Sequence, residues 1–299
     1  MEPMEVDTHI QALRQAGQIL RSKGVQIGLL TVLLSWGGPA CTVDSSKNRY
    51  LLAERLWSDG KYAAAVSEFD KVAARDPQSK LGRQAMFRSA MTESLYLSNY
   101  SEAIRKFRNY IEVTGNTPLA WESYKQIGEI LFSKTEQYDR AIQHYRNLLA
   151  IKPKAEEAPE FLFRIGRSHF FLRQFDKSIS VYREITSKYS KSPWAERALF
   201  ETAVSFYTQG GQHNPGNPKS GTSEGYQEAI DGYERFLKKF PKSDLAVEAR
   251  FGIAACLEEL DQLEAAYHTF EALKTSYPSP SVIEIRLARI RERRQQKSH

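Results

Sequence analysis

The sequence predicts an all-α protein, a solenoid of about six helix pairs closed by a C-terminal helix. Three observations predict it. The pattern aromatic-x-x-small-x-x-x-aromatic occurs at Tyr62/Ala65/Phe69, Tyr100/Ala103/Phe107, Tyr138/Ala141/Tyr145, Phe175/Ser178/Tyr182 and Tyr226/Ala229/Tyr233, and again at Leu263/Ala266/Phe270 with leucine first. Its steps are 38, 38, 37, 51 and 37 residues, one period broken by a single insertion of about 14. Few stretches alternate in the manner of β-strands.

The unit is clearest at 226–278. Tyr226, Ile230, Tyr233 and Leu237 make one apolar stripe at helical spacing, with Glu228, Asp231, Glu234 and Lys238 facing away. Phe240-Pro241-Lys242-Ser243 ends that helix, because proline lacks an amide donor and restrains the residue before it, and Ser243 can cap the next start. A helix over 244–260 follows, with Ala246, Ala249, Ile253, Ala254 and Leu257 on one face, and the helix from Leu263 repeats the first.

Taken from the N-terminus, residues 1–24 form a polar leader with Arg14, Arg21 and Lys23, and 25–34 (VQIGLLTVLL) an apolar run short for a membrane span. Ser35-Trp36-Gly37-Gly38-Pro39-Ala40-Cys41 follows, the order of a secretory signal. Residues 42–48 read as a polar tether, and the array as 49–280. First helices of the pairs (helix A) are expected at about 50–58, 80–98, 118–134, 158–172, 193–208 and 244–260, each followed by a helix B carrying the aromatic pattern. Residues 210–225, with five glycines and two prolines, are expected to be a non-helical loop, either contacting a partner or a tolerated surface insertion. In 281–299, Ile283, Leu287 and Ile290 form a stripe suited to covering the sixth repeat. Its other faces hold Arg286, Arg289, Arg291, Arg293 and Arg294, which suit either a solvated helix C-terminus or, at Arg286, Arg289, Arg293 and Arg294, an anionic lipid surface.

A small residue twelve before the helix B alanine or serine (Ala53, Gly166, Ala254), and proline eight after the second aromatic (Pro77, Pro153, Pro241, Pro278), resemble the tetratricopeptide repeat. That resemblance implies a right-handed superhelix whose concave face, lined by the A helices, holds a segment of another protein.

Net charge is +6, and the first 41 residues add nothing to it, so the excess belongs to the repeats and tail. Of two cysteines, Cys256 lies on a small apolar helix face, where a thiol packs as a small hydrophobe, and a bridge to Cys41 is not expected. Gly221-Thr222-Ser223-Glu224-Gly225 spells G-x-S-x-G, but a nucleophile elbow needs a strand before it. The six histidines are scattered without metal-ligand spacing, and no phosphate-binding glycine motif is present. The reading is therefore of a non-enzyme with no cofactor, metal, nucleic acid or small-molecule substrate. Candidate protein-binding residues are the A-helix polar side chains off the packing stripe: Arg88, Glu93, Lys125, Glu129, Arg164, Arg167, His169, Glu201 and Arg250.

A cysteine closing an apolar leader is similar to the lipobox of bacterial lipoproteins, which implies cleavage before Cys41 and lipidation of its thiol. Gly38 and Pro39 depart from that pattern, so cleavage after Ala40 or an uncleaved anchor remain as alternatives. The junctions Asp76-Pro-Gln-Ser79, Tyr189-Ser-Lys-Ser192 and Phe240-Pro-Lys-Ser243 are similar to those of periplasmic repeat proteins. Together these features resemble the BamD family of outer-membrane β-barrel assembly lipoproteins, and next the CpoB/YbgF-like envelope coordinators and pilotin-like lipoproteins. The resemblance implies a lipid-anchored scaffold on the periplasmic side of the outer membrane, binding barrel-assembly subunits or other envelope proteins.

Overall fold

The computed structural model describes residues 41–211 and 223–297. The chain divides into a unit of residues 1–44 and one of Ser45–His299, and the architecture below is that of the second. The leader, at 1–40, lies outside the described residues.

Thirteen α-helices and no strand occur among the described residues. They form six pairs: α1 (Cys41–Ser58) with α2 (Tyr62–Arg75), α3 (Lys80–Leu95) with α4 (Tyr100–Thr114), α5 (Pro118–Glu129) with α6 (Tyr138–Ile151), α7 (Ala158–Phe171) with α8 (Phe175–Lys188), α9 (Pro193–Gly210) with α10 (Ser223–Lys239), and α11 (Ala246–Glu259) with α12 (Leu263–Leu273). A final helix, α13 (Pro280–Lys297), packs on α12. Each helix packs on its neighbour in sequence from α2 onward, and helices A also meet across pairs, α7 on α9 and α9 on α11.

The repeated pattern is the core. Ala65, Ala103, Ala141, Ser178, Ala229 and Ala266 are fully buried, and so, within a few per cent, are the aromatics four residues after each. In the third and fourth pairs, where helix B offers tyrosine, helix A of the same pair offers glycine: a Cβ on Gly128 would lie 2.7 Å from the Tyr145 ring and one on Gly166 2.4 Å from Tyr182. Tyr233 of helix B in the fifth pair would meet a Cβ on Gly252 of the following A helix at 2.5 Å. Where helix B offers Phe69 or Phe270, the neighbouring A helix carries Ala53 or Ala254 in the same core cluster.

Every described turn from helix A to helix B passes through one residue with positive φ: Gly60, Ser98, Glu136, Arg173 and Asp261. The amide that follows returns to the end of helix A, as in Lys61 to the Leu56 carbonyl and Gln174 to the His169 carbonyl, which satisfies orphan carbonyls at the helix end. In the second and third pairs the small residue, Ala90 or Gly128, stands thirteen rather than twelve before the helix B alanine, so the spacing rule passes over it. The third pair absorbs its extra residue as one π-helical turn, Ile130–Lys134, at the end of α5.

Two expectations are corrected. The polar tether expected at 42–48 is part of α1, which begins at Cys41; Arg75 of α2 donates to the Ser45 hydroxyl and Arg49 pairs with Glu68 at 2.8 Å, so α2 holds this extension. The glycine-rich 210–225 is helical at both ends, since α9 includes Gly210 and α10 starts at Ser223. The two helices approach through paired glycines, a Cβ on Gly225 falling 2.8 Å from the Gly210 Cα. Glycine here permits close helix contact rather than breaking the helix.

Candidate protein-binding surface

The face formed by the A helices is organised by ion pairs between successive pairs. The residue after the small packing residue reaches the next A helix: Glu54 to Arg88, Glu129 to Arg164 and Arg167 to Glu201. Arg88 is held in a fork, Nε to Oε1 at 2.9 Å and Nη2 to Oε2 at 2.6 Å. Arg167 Nη1 meets Glu201 at 2.7 Å and Arg164 Nη2 meets Glu129 at 3.3 Å. Lys125 continues the row, between Glu122 at 3.0 Å and Glu157 at 3.5 Å.

Eight of the nine residues singled out in the sequence are committed. The six named in the row bridge neighbouring A helices or turns. Glu93 faces inward and is buried, accepting from Lys106 at 3.0 Å; Lys106 also donates to Asp70 and Ser89, each at 2.8 Å, so this interior charge is fully partnered. His169 is buried too, its Nδ1 2.8 Å from Gln174 Oε1, and burial lowers its pKa, against the Gln174 bond. Arg250 is exposed, with no ion pair among the described residues. The ladder's side chains are about one fifth to two fifths exposed, apart from the more deeply set Glu201, so each exposed pair contributes only about 0.2–1 kcal/mol and remains open to exchange with a partner's charges.

Sequence reasoning missed an aromatic constellation attached to this ladder. Arg88 lies over Trp57 at 4.7 Å, Trp57 meets Tyr96 edge-on at 5.3 Å, and Tyr96 stacks on Tyr62 at 4.3 Å. Two repeats later Arg164 lies over Phe132 at 4.9 Å, Phe132 touches Phe171 at 6.3 Å, and Phe171 stacks on Tyr138 at 4.8 Å. Trp57/Phe132, Tyr62/Tyr138, Arg88/Arg164, Tyr96/Phe171 and Glu54/Glu129 correspond at a spacing of 75 or 76 residues, twice the repeat. That double period is the signal that could have found them. A third version keeps Tyr207 and Tyr226, 5.6 Å apart, but has Gly252 in the arginine's place and Glu259 in that of Phe171. Burial first, and Glu259 next, push the Tyr226 pKa up to about 12. Tyr96 and Phe171 remain exposed by 36% and 41%, enough ring surface for another chain to cover.

At the C-terminus the arginines proposed for a lipid surface are engaged within the chain. The Glu258 side chain is wholly buried and receives Arg286 at 3.0 Å, Arg289 Nε at 2.5 Å, and Arg293 at 4.0 Å. Arg293 also reaches Asp261 at 3.0 Å, Arg294 pairs with Glu264 at 2.5 Å, and Lys297 pairs with Asp261. The lipid reading needs uncommitted charge on these residues, and the geometry places carboxylates on them instead. Ile283, Leu287 and Ile290 are buried against the last pair.

Ser223 opens α10, a helix preceded in the described structure by another helix, which is not the strand-to-helix setting of a nucleophile elbow. Burial pushes the Cys256 thiol up to about 12, leaving it a packing group. Among the described residues no cluster of three His, Cys, Asp or Glu could hold a metal, and no helix is long and apolar enough to cross a membrane.

These features define a helical-repeat scaffold, which offers surfaces to other proteins. Comparison with known families gives the class its name. One tetratricopeptide-repeat model matches residues 92–156 and 222–279, a second matches 160–192 and 197–243, and together they span more than half of the chain. The chain belongs to the tetratricopeptide-repeat family. Among solved structures it is similar to a tetratricopeptide repeat protein from Parabacteroides merdae ATCC 43184, with 13% identity, TM-score 0.52, and 85% of this chain and 89% of that one covered. It is also similar to the C-terminal part of a repeat protein from Cytophaga hutchinsonii, with 17% identity, TM-score 0.53, and coverage of 76% and 78%. PilW, described as a widely conserved type IV pilus biogenesis factor, aligns at 14% identity with TM-score 0.49 over 81% of this chain and 97% of that one. At such identities the likeness is one of fold. No curated protein matches the chain.

Proposed function

We propose that this protein is a non-enzymatic scaffold of a bacterial cell envelope, lipid-anchored through Cys41 on the periplasmic side of the outer membrane, and a component of β-barrel protein assembly. The observation that carries the reading is the joining of an export-type leader, ending in Cys41, to a repeat array with proline-serine junctions. The partner, an extended or helical segment of a barrel-assembly subunit, lies along the A helices. There it exchanges charge with the Glu54–Arg88, Glu129–Arg164 and Arg167–Glu201 ladder and covers Tyr96 and Phe171.

The test is affinity purification of the membrane-extracted protein from its native cell, with mass spectrometry of its companions and of its mature N-terminus. A barrel-insertion subunit together with acylated Cys41 is the expected result. A free, uncleaved N-terminus, or companions restricted to cell-division or secretin machinery, would overturn the assembly reading and leave the scaffold class standing.

A further inference from the structure

The opposite surface, formed by the B helices, carries two grooves that are the same groove two repeats apart. The first, between α4 and α6, encloses about 510 Å³, and the second, between α8 and α10, about 270 Å³. Five lining positions correspond: Ile104 with Ile179 on the floor, Arg105 with Ser180, Arg108 with Arg183, Ser101 with Asp176, and Arg140 with Glu228.

The charges do not correspond. In the second groove one guanidinium, Arg183, shares the lining with two carboxylates, Asp176 and Glu228. In the first, Ser101 and Arg140 occupy the carboxylate positions, and Arg105 adds a further guanidinium where the second groove has Ser180. Three arginines then face a single carboxylate, Glu112. Glu102 engages Arg105, and Arg140 donates to the neutral Gln137 amide oxygen. Arg108 has no ion-pair partner among the described residues. The second groove's lining therefore carries one more acid than base, and the first shows the same surface with those two acids replaced and guanidiniums added, so that its lining is net positive. Like charges drawn together repel, and with Arg105 held by Glu102 the guanidiniums of Arg108 and Arg140 are left for a counter-charge from outside.

We infer that the groove between α4 and α6 binds an acidic polypeptide segment, with Arg108 and Arg140 receiving its carboxylates. Guanidinium forks match carboxylates bidentately, and Asn109 and Thr135 in the lining suit the segment's main chain. A volume of about 510 Å³, open along two helices over an isoleucine floor, is an order of magnitude larger than one water's share of about 30 Å³ and fits a peptide rather than a lone anion. This surface is separate from the A-helix face and does not depend on the identity of the partner there.

The experiment is fluorescence anisotropy of the full chain with a labelled glutamate-rich nonapeptide and its glutamine counterpart. The acidic peptide should bind and the glutamine peptide should not, with binding lost in 0.5 M NaCl. Arg108→Glu combined with Arg140→Glu should weaken binding by roughly tenfold or more, while Arg183→Glu in the equivalent groove should change it by less than about twofold. All these side chains are on the surface, so unchanged circular dichroism and melting temperature verify folding. Equal binding by the double variant, equal binding of the glutamine peptide, or full displacement by inorganic phosphate at the peptide's concentration would each overturn the inference.

Discussion

Glu136 holds φ at 51°, Ser98 at 53°, and Arg173 and Asp261 at 59°, in turns where the first repeat uses Gly60. A left-handed conformation costs a residue with a Cβ roughly 1–2 kcal/mol, so four of the five described turns keep a strain that glycine would remove. Glu136→Gly, at an exposed position, should therefore raise stability by about 0.5–1 kcal/mol after the entropy that glycine adds to the unfolded chain, read as an upward shift in the urea midpoint. A lower midpoint would mean that the Glu136 side chain contributes more than its backbone strain costs. The same scale explains why two small residues escaped the sequence reading. Ala90 and Gly128 are displaced by one inserted residue, and only the turn geometry and the π-helical turn show where that residue is accommodated.

Among the elements, α13 was legible as a cap from Ile283, Leu287 and Ile290, but its arginines were not legible as a latch. Their partner, Glu258, lies 28 to 35 residues away on α11, and no local pattern ties the two helices together. The latch is asymmetric. Removing Arg286 and Arg289 leaves a carboxylate that has no exposure of its own with only Arg293, 4.0 Å away, whereas removing Glu258 leaves two arginines that are 26% and 48% exposed and can hydrate. Arg286→Ala with Arg289→Ala should cost on the order of 3 kcal/mol and Glu258→Ala distinctly less, measured by chemical denaturation. Equal losses would show that packing, not the stranded charge, governs the cap. The A-helix ladder has the same origin at a distance: Glu54, Glu129 and Arg167 meet partners 34 or 35 residues on, one repeat away, so each residue type was visible in the sequence while its commitment was not.

Across the whole molecule the charge is segregated. Residues 211–279 carry eleven acidic against seven basic side chains, and 280–299 six basic against two acidic, so the cap neutralises the end that it covers. The remaining positive excess lies in the first four repeats, where the basic groove is found. Acid sensitivity is also built into the middle of the array. Burial lowers the pKa of His144 against its 2.8 Å hydrogen bond to the Tyr124 carbonyl, and burial likewise lowers that of His169. For both, the folded state holds its proton less tightly than the unfolded chain, whose histidines titrate near the ordinary value of about 6.5. Stability is therefore unaffected well above that pH and declines as pH falls through it. The melting temperature should drop between pH 7.5 and 5.5, and replacing both histidines with glutamine should flatten the slope. An unchanged slope in that variant would assign the acid response to other groups.

The sequence by itself determined the helix pairs, their number and period, the buried alanine-aromatic stripe and the closing helix. Those depend on contacts within one repeat or between adjacent ones, and a fixed period prints such contacts into the chain directly. Only the tertiary structure decided which polar side chains remain available, because pairing depends on the stacking of whole repeats. The same stacking turned a run of candidate binding residues into a ladder of ion pairs, set Glu93 and His169 inside, and brought together the aromatic pairs of Tyr62 with Tyr96 and Tyr138 with Phe171. It also placed Arg105, Arg108 and Arg140 around one groove, across a separation of some thirty-five residues that no helical period connects.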